Sequence, residues 1–476
     1  MSLPGLSNLP GLGSASLELS APTVAVPRVY NLNPETELRF ESSFSNPINI
    51  KLVYGNAEIF GTELAPNTTY TLKGAKAAVY TWYGCRLEIT GCAETVQVGE
   101  QTPMLQYINT HGALEDARES AQTKKSMGPR VLIVGAENAG KTSLAKMLTA
   151  YAIKSDRQPI GVNLDPSQAL LSVPGALTAS TFASLLDVEE GWGSSPISGP
   201  SALPIKMPLC YHFGCKTAES NPKLYKSLVT RLALAVTSRM EADEDVRSSG
   251  CIIDTPGSLT VGENGNYDLL QHIVSEFSVN AILFLGEDAL YNKLQQQFNG
   301  PEVTIAQLDK STACFARSQS YMKEFRQQQI RDYFFGHGSI TLSPLTTQTD
   351  FGNLSIYRIN DSTTPSPHKT ENYDEDDAYE PTVPQPPTTT TTPSNQIYEK
   401  ITPSNMMQNS LLAVTNADSN ASQEEIRDAS VMGYVYVAGV EEGSRKIRLL
   451  SPVGGKVPAK AIIWGSWPEE VVDLVG

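Results

Sequence analysis

No lysine or arginine precedes Arg28 in the 476-residue chain, so the basic start of a secretory signal is missing. No apolar run reaches the length of a membrane span. The sequence therefore reads as that of a soluble protein, cytoplasmic or nuclear, although no basic nuclear-import cluster stands out. Cysteine is scarce: six residues, at positions 85, 92, 210, 215, 251 and 314, none in a C-x-x-C pair. With only five histidines no zinc spacing emerges, and reduced core thiols are expected instead. Basic charge is short as well. A formal net charge of -15 excludes a chain that coats nucleic acid with its whole surface. Contact with RNA is then confined to a local groove or goes through a partner.

What is present suffices for about three domains of ordinary size. Residues 1–26 are rich in Pro, Gly, Ser and Leu without periodicity and read as a mobile tail. Residues 27–108 read as a β domain. The runs Glu37-Leu-Arg-Phe-Glu41, Ile48-Asn-Ile-Lys-Leu-Val-Tyr54 and Ala77-Ala-Val-Tyr-Thr-Trp82 are punctuated by turns about ten residues apart, which suggests a small sandwich. A helix is expected over residues 107–124. Residues 109–338 change pattern. Arg130-Val-Leu-Ile-Val134, Pro159-Ile-Gly-Val-Asn-Leu164, Gly250-Cys-Ile-Ile253 and Asn280-Ala-Ile-Leu-Phe-Leu285 are apolar strands separated by long helical stretches. That alternation means an α/β domain with a mainly parallel sheet and helices on its faces. Residues 339–476 turn β-rich again, with strands expected at 431–438 and 446–450. Within them, the proline-, threonine- and acid-rich stretch 362–396 cannot bury a core and is expected to be disordered.

Gly135-Ala-Glu-Asn-Ala-Gly140-Lys141-Thr142 fits G-x-x-x-x-G-K-[ST] in full, with Ser143 behind it. A strand precedes it and a helix follows. Such a loop turns backbone N–H groups and a helix N-terminus towards phosphates. Lys141 is expected to reach the β and γ phosphates, and the Thr142 hydroxyl to bind Mg²⁺. A nucleoside triphosphate, ATP, is the expected ligand. Glu137 is out of place in a loop built for anions and should point outward.

Asp165 and Asp254 end apolar strands, where ligands bind in such sheets. Each could serve Mg²⁺ or act as a base for an attacking hydroxyl. Each also stands in turn chemistry, Asp165-Pro166 and Asp254-Thr-Pro-Gly257. The latter also fits a D-x-x-G switch, but Leu285-Gly-Glu-Asp288 replaces the guanine-reading N-K-x-D, so GTP is disfavoured. The segment Arg317–Arg331 has basic residues at helical spacing. It reads either as an arginine lid over the phosphates or as a solvated helix face.

Several motifs in order resemble one family. Thr36-Glu-Leu-Arg-Phe40, Lys76 before Ala77-Ala-Val-Tyr-Thr-Trp82, Thr102-Pro-Met-Leu105, Asn109-Thr-His111, the phosphate loop, Asp187-Val-Glu-Glu-Gly191, Tyr211-His-Phe-Gly214, Arg317-Ser318 and Ile330-Arg-Asp-Tyr-Phe334 look like the Clp family. That family comprises polynucleotide 5′-hydroxyl kinases and the related ATP-binding subunit of the mRNA 3′-end cleavage and polyadenylation machinery. The resemblance runs from about residue 29 to the C-terminus, the 362–396 insert excepted. It implies a P-loop domain flanked by an N-terminal β-sandwich and a small β-rich C-terminal domain. It implies that Glu37 and Lys76 contact the adenine. Gly135 and the run Asn138, Ala139, Gly140, Lys141, Thr142 and Ser143 would hold phosphate, with Mg²⁺ at Thr142 and Asp165. It also makes Asp165 the base for an RNA 5′-hydroxyl, if the chain is active, with Gln168 beside it and Arg317 in the lid.

Two departures bear on activity. Active kinases of the family carry a tryptophan beyond the Thr-x-Gly of the second strand-end motif, and this sequence has Ser258. Their lid carries a second arginine where Met322 stands here. Loss of a stacking ring and a phosphate clamp weakens substrate grip and charge neutralisation. The resemblance therefore points to the non-catalytic branch: an ATP-holding scaffold whose partner is the scaffold subunit of cleavage factor IA, in the nucleus. An active 5′-hydroxyl kinase is the alternative.

Overall fold

The computed structural model describes residues 27–191, 208–260, 267–298, 300, 302–337, 341–360, 396–472 and 474. The expected tail 1–26, and the expected insert 362–396 apart from residue 396, lie outside the described residues.

Three β-layered parts follow one another. The first is a sandwich. Arg28–Leu32, Cys85–Thr90, Ile48–Gly55 and Thr69–Leu72 form a four-stranded sheet in that order. Thr62–Glu63, Glu58–Ile59, Lys76–Thr81, Thr36–Glu41 and Thr95–Gly99 form the five-stranded one. Alternation decides which side goes in. Ile48, Ile50 and Leu52 are buried while Asn49, Lys51 and Val53 between them are only partly so, and the inward set meets Leu38, Phe40, Val79 and Leu87 in one core.

The helix Met104–Lys124 leads out of the sandwich. It begins three residues before the expected start. Proline at the position before it brings no N–H to satisfy, and the helix enters directly behind Pro103.

In the second part the sheet runs Leu209–His212, Ala176–Thr181, Ile160–Asn163, Cys251–Asp254, Arg130–Gly135, Ala281–Leu285, Thr304–Leu308. The last five are mutually parallel. The first two join antiparallel at one edge, an extension whose strands the sequence did not announce. Arg130–Gly135 is buried on both faces, as parallel strands covered by helices must be. Val131 and Ile133 pack with Leu144, Leu148 and Tyr151 of the helix Lys141–Lys154. Leu132 and Val134 face the opposite way, into a core that includes Leu224, Leu228 and Leu232 of the helix Pro222–Ala242.

That second core continues into the third part. Tyr333 and Phe334 of the helix Gln319–Phe335 meet Tyr434 and Tyr436 edge to face. Their strand, Val431–Glu441, belongs to a seven-stranded sheet ordered Leu345–Asp350, Lys446–Ser451, Val431–Glu441, Leu411–Asp418, Lys460–Trp464, Ser355–Ile359, Tyr398–Ile401. The other face of this sheet has its own core around Ile356, Leu412, Val437 and Leu449.

Candidate functional site

Arg130–Gly135 is paired with Cys251–Asp254 on one side and Ala281–Leu285 on the other. The chain leaves it in one direction and later returns to its other side, which opens a crevice at the strand's carboxyl end. The phosphate loop sits in that crevice. Asn138 and Gly140 adopt left-handed conformations, φ 57° and 95°. A Cβ on Gly140 would also stand 2.8 Å from Cys314 Sγ, so a side chain there is excluded twice. The helix Lys141–Lys154 begins without a side-chain cap and without an acid in its first turn. Its leading N–H groups are thus left for an anion. Glu137 is exposed, yet it lines the same cavity as Asn138 and Lys141, contrary to the expectation that it points outward.

Lys141 Nζ donates to the loop's own Ala136 carbonyl at 2.8 Å. Burial pushes its ammonium down from the ordinary lysine range, while Asp254 and then Asp165 oppose the shift. The Thr142 hydroxyl donates to Asp254 Oδ2 at 2.5 Å. Asp254 Oδ1 is buried with no hydrogen-bond partner. Burial raises this carboxyl to about 6, against the pull of Lys141 and Thr142. A hydroxyl and a buried carboxylate oxygen with spare lone pairs are the donor set of a hard divalent cation.

Asp165 lies next door, 6% exposed. Its Oδ1 accepts from the Ser167 N–H and hydroxyl at 2.9 and 2.7 Å, its Oδ2 from Gln168 Nε2 at 3.1 Å. Asn163 Nδ2 ties the turn together by donating to the carbonyls of Asp165 and Gln168. Arg317 reaches across to both halves. Its Nε donates to Asn138 Oδ1 at 3.2 Å and its Nη1 to Gln168 Oε1 at 3.3 Å.

The sandwich supplies the far wall. Glu37, buried, accepts from Arg39 Nε at 2.7 Å and from the Thr102 hydroxyl at 3.3 Å. Lys76 pairs with Glu41 at 2.7 Å and lies 5.0 Å from the centre of the Tyr321 ring. Glu37 and Lys76 of the sandwich, Asn138, Gly140, Lys141 and Thr142 of the loop and its helix, Asp165, Asp254 and Arg317 line one cavity of 1020 Å³, which also takes in Ser143 but not Gly135 or Ala139. Among the described residues no cluster of three or more His, Cys, Asp or Glu could hold a metal, and no helix there is long and apolar enough to cross a membrane.

Three family profiles cover the chain. The N-terminal beta-sandwich domain of polyadenylation factor matches residues 31–121. The mRNA cleavage and polyadenylation factor CLP1 P-loop matches 135–336, and the pre-mRNA cleavage complex II protein Clp1 matches 342–469. The chain belongs to the Clp1 family. A Clp1 relative named mRNA cleavage and polyadenylation factor CLP1, from Phaeosphaeria nodorum, is 49% identical over 100% of both chains. Another of that name, from Botryotinia fuckeliana, is 47% identical over 98% of this chain and 100% of its own. Among solved structures, Clp1p in a wild-type Clp1p–Pcf11p complex superposes with a TM-score of 0.80 at 28% identity, over 93% of this chain and 99% of that one. A second Clp1p–Pcf11p structure, a glycine-to-arginine point mutant described by its loss of ATP, gives 0.81 at 28% identity over the same shares.

Ser258 and Met322, the two positions that the resemblance sets apart from active kinases, both line the cavity, and the buried Ser258 hydroxyl has no partner. Arg326, in the basic segment that reads as a lid, lines the same cavity and is held by the C-terminal segment. It forks onto Glu469, with Nε 3.1 Å from both carboxylate oxygens, and stacks 4.6 Å over Trp467. Trp467 Nε1 in turn donates to the carbonyl of Pro166 at 3.2 Å, beside Asp165. Sequence reasoning missed Trp467 and Glu469, which lie about 140 residues beyond the lid and carry no local signal. It also left Asp254 undecided, since only the fold brings that side chain to Thr142. Lys146 was overlooked, although its i,i+4 spacing from Thr142 places it on the same helix face.

Proposed function

We propose that this chain is an ATP-holding scaffold subunit of the pre-mRNA 3′-end cleavage and polyadenylation machinery, and that the bound nucleotide acts mainly as structure. One observation carries the reading. The phosphate cradle is complete and Arg317 reaches over it, while serine at 258 and methionine at 322 bring neither a stacking ring nor a second guanidinium to the cavity at those two positions.

In this reading the N–H groups of residues 138–143, Lys141 and Arg317 take the triphosphate. Glu37 and Lys76 bound the adenine. Thr142 and Asp254 hold Mg²⁺, with Asp165 next to them, and the ion supplies charge neutralisation between the phosphates. The ligand then bridges the sandwich and the P-loop domain. Binding to the folded state alone adds RT ln(1 + [L]/Kd), about 4 kcal/mol at a thousandfold excess over Kd. The surface organised this way docks a partner of the kind named for the Clp1p neighbours, the scaffold subunit of cleavage factor IA. RNA is met through that partner or in a local groove, and the working compartment is the nucleus.

A polynucleotide 5′-hydroxyl kinase is the second reading. The arrangement of Asp165, Gln168 and Arg317 favours it: a buried carboxylate beside the cradle, oriented by two hydroxyl- and amide-bearing neighbours, is placed to accept a hydroxyl proton. Transfer of labelled γ-phosphate to a 5′-hydroxyl oligonucleotide separates the two. The scaffold reading expects no transfer above background. Robust transfer that Asp165→Ala abolishes would overturn it.

A further inference from the structure

The helix Gln319–Phe335 touches the sandwich away from the phosphate loop. The Tyr321 hydroxyl donates to the Gly74 carbonyl at 2.9 Å, across 247 residues of sequence. The same ring lies 5.5 Å from that of Phe44, centre to centre, and stacks at 6.2 Å on Phe325. Lys76 Nζ stands 5.0 Å from its centre. Seven residues on, about 10 Å along the helix axis, Gln328 Oε1 accepts from Lys73 Nζ at 3.0 Å. Lys73 and Gly74 lie in the short turn between the strands Thr69–Leu72 and Lys76–Thr81. One turn of the sandwich thus grips the lid helix at two levels.

The acceptor in this contact is fixed. Gly74 has φ 56°, and a Cβ there would stand 2.2 Å from the Phe44 ring. Glycine is what lets Phe44 close against the turn. Gly74 N donates to Ser43 O at 3.1 Å, and Ala75 N to the hydroxyl of the buried Ser42 at 2.9 Å. The donor is fixed as well. Burial pushes the Tyr321 phenol up to about 12, so the hydroxyl keeps its proton. Its backbone N–H donates to the Ser318 hydroxyl, the helix cap, at 3.1 Å. Arg317, which reaches Asn138 and Gln168, is the residue before that cap. A single turn of chain therefore holds the sandwich through Tyr321 and spans the phosphate cradle through Arg317. Phe44, Gly74, Lys76, Arg317 and Tyr321 all line the cavity.

We propose that Tyr321 is a latch, a positioning residue that fastens the lid helix to the 73–75 turn of the sandwich and so sets the rate at which nucleotide enters and leaves the cavity. The proposal rests on the nucleotide-holding reading of this cavity and adds what governs exchange. The latch joins protein to protein, not protein to nucleotide. Loosening it lowers the barrier to entry and to exit alike and leaves the affinity nearly unchanged. A holder of nucleotide needs such a barrier, because a ligand that ties domains together must outlast their fluctuations.

The test uses the full chain, loaded with labelled ATP and chased with excess unlabelled ATP. Tyr321→Phe keeps the ring and removes the hydroxyl. It is expected to speed release and uptake together about fivefold, the rate equivalent of one neutral hydrogen bond, with Kd within about twofold of wild type. Amide hydrogen exchange over residues 319–335 is expected to be faster in Tyr321→Phe than in wild type, with and without ATP. Unaltered release overturns the proposal. So does a weaker Kd with unchanged uptake, because Tyr321 would then be a contact to the nucleotide itself. Equal amide exchange in the two chains overturns it too. A wild-type chain that takes up no ATP would instead be a failure of the nucleotide reading, and amide exchange would still decide whether the latch holds the helix.

Discussion

Asp254 is the residue whose environment makes the sharpest statement. Burial holds its carboxyl at about 6 in the fold, against about 3.9 in an unfolded chain. The folded state thus binds the proton more tightly. Stability from this group is full below about pH 4 and is lost as pH rises through about 6. Replacing Asp254 with Asn removes that slope. Urea denaturation of the nucleotide-free chain between pH 4 and 7 should therefore fall more steeply for wild type than for Asp254→Asn. Equal slopes would mean that the carboxyl is not buried as described. Mg²⁺ competes for the ionised form, so its stabilising effect on the ATP-bound chain should grow through the same window. Another buried carboxylate, Glu58, sits between domains. It accepts the Tyr151 hydroxyl, and Lys154 stands 3.8 Å away. Tyr151→Phe leaves Glu58 short of a donor and should cost about 1–3 kcal/mol in chemical denaturation. No measurable change would place the sandwich's hold on the P-loop helix in the apolar contacts alone.

Elements differ in how legible they were. The loop and its helix follow from local chemistry: a buried strand, glycine where φ is positive, and uncapped amides behind it. The alternating runs at 36–41, 48–55 and 76–81 placed the sandwich strands to within a residue or two, because one face of each had to be apolar. The edge strands Ala176–Thr181 and Leu209–His212 gave no such cue, since their residues are small or mixed and buried from several sides. The acids at strand ends were legible as candidates. Their division of labour was not, since Asp254 meets Thr142 across 112 residues. The lid is the clearest case of a limit. Its basic spacing was readable, but the fork of Arg326 onto Glu469 joins positions 143 residues apart. That contact makes a prediction of its own. Glu469→Ala leaves the guanidinium without its partner and loosens the helix Gln319–Phe335. It should cost about 1–3 kcal/mol and speed ATP release, read by nucleotide-chase kinetics. A variant with unaltered release would show that the C-terminal segment does not restrain the lid.

For the whole molecule, the nucleotide is the tie. The cavity is walled by the sandwich, the P-loop domain and the C-terminal segment together, so its occupant stabilises all three at once. Lys141→Ala should accordingly lower ATP content and Tm in step. A Tm that stays put while nucleotide is lost would deny the structural role. The most direct test of the central claim is the nucleotide released when the purified chain is denatured. ATP near one equivalent per chain is the predicted result. ADP would mean that the site turns its ligand over, and no nucleotide at all would contradict the account.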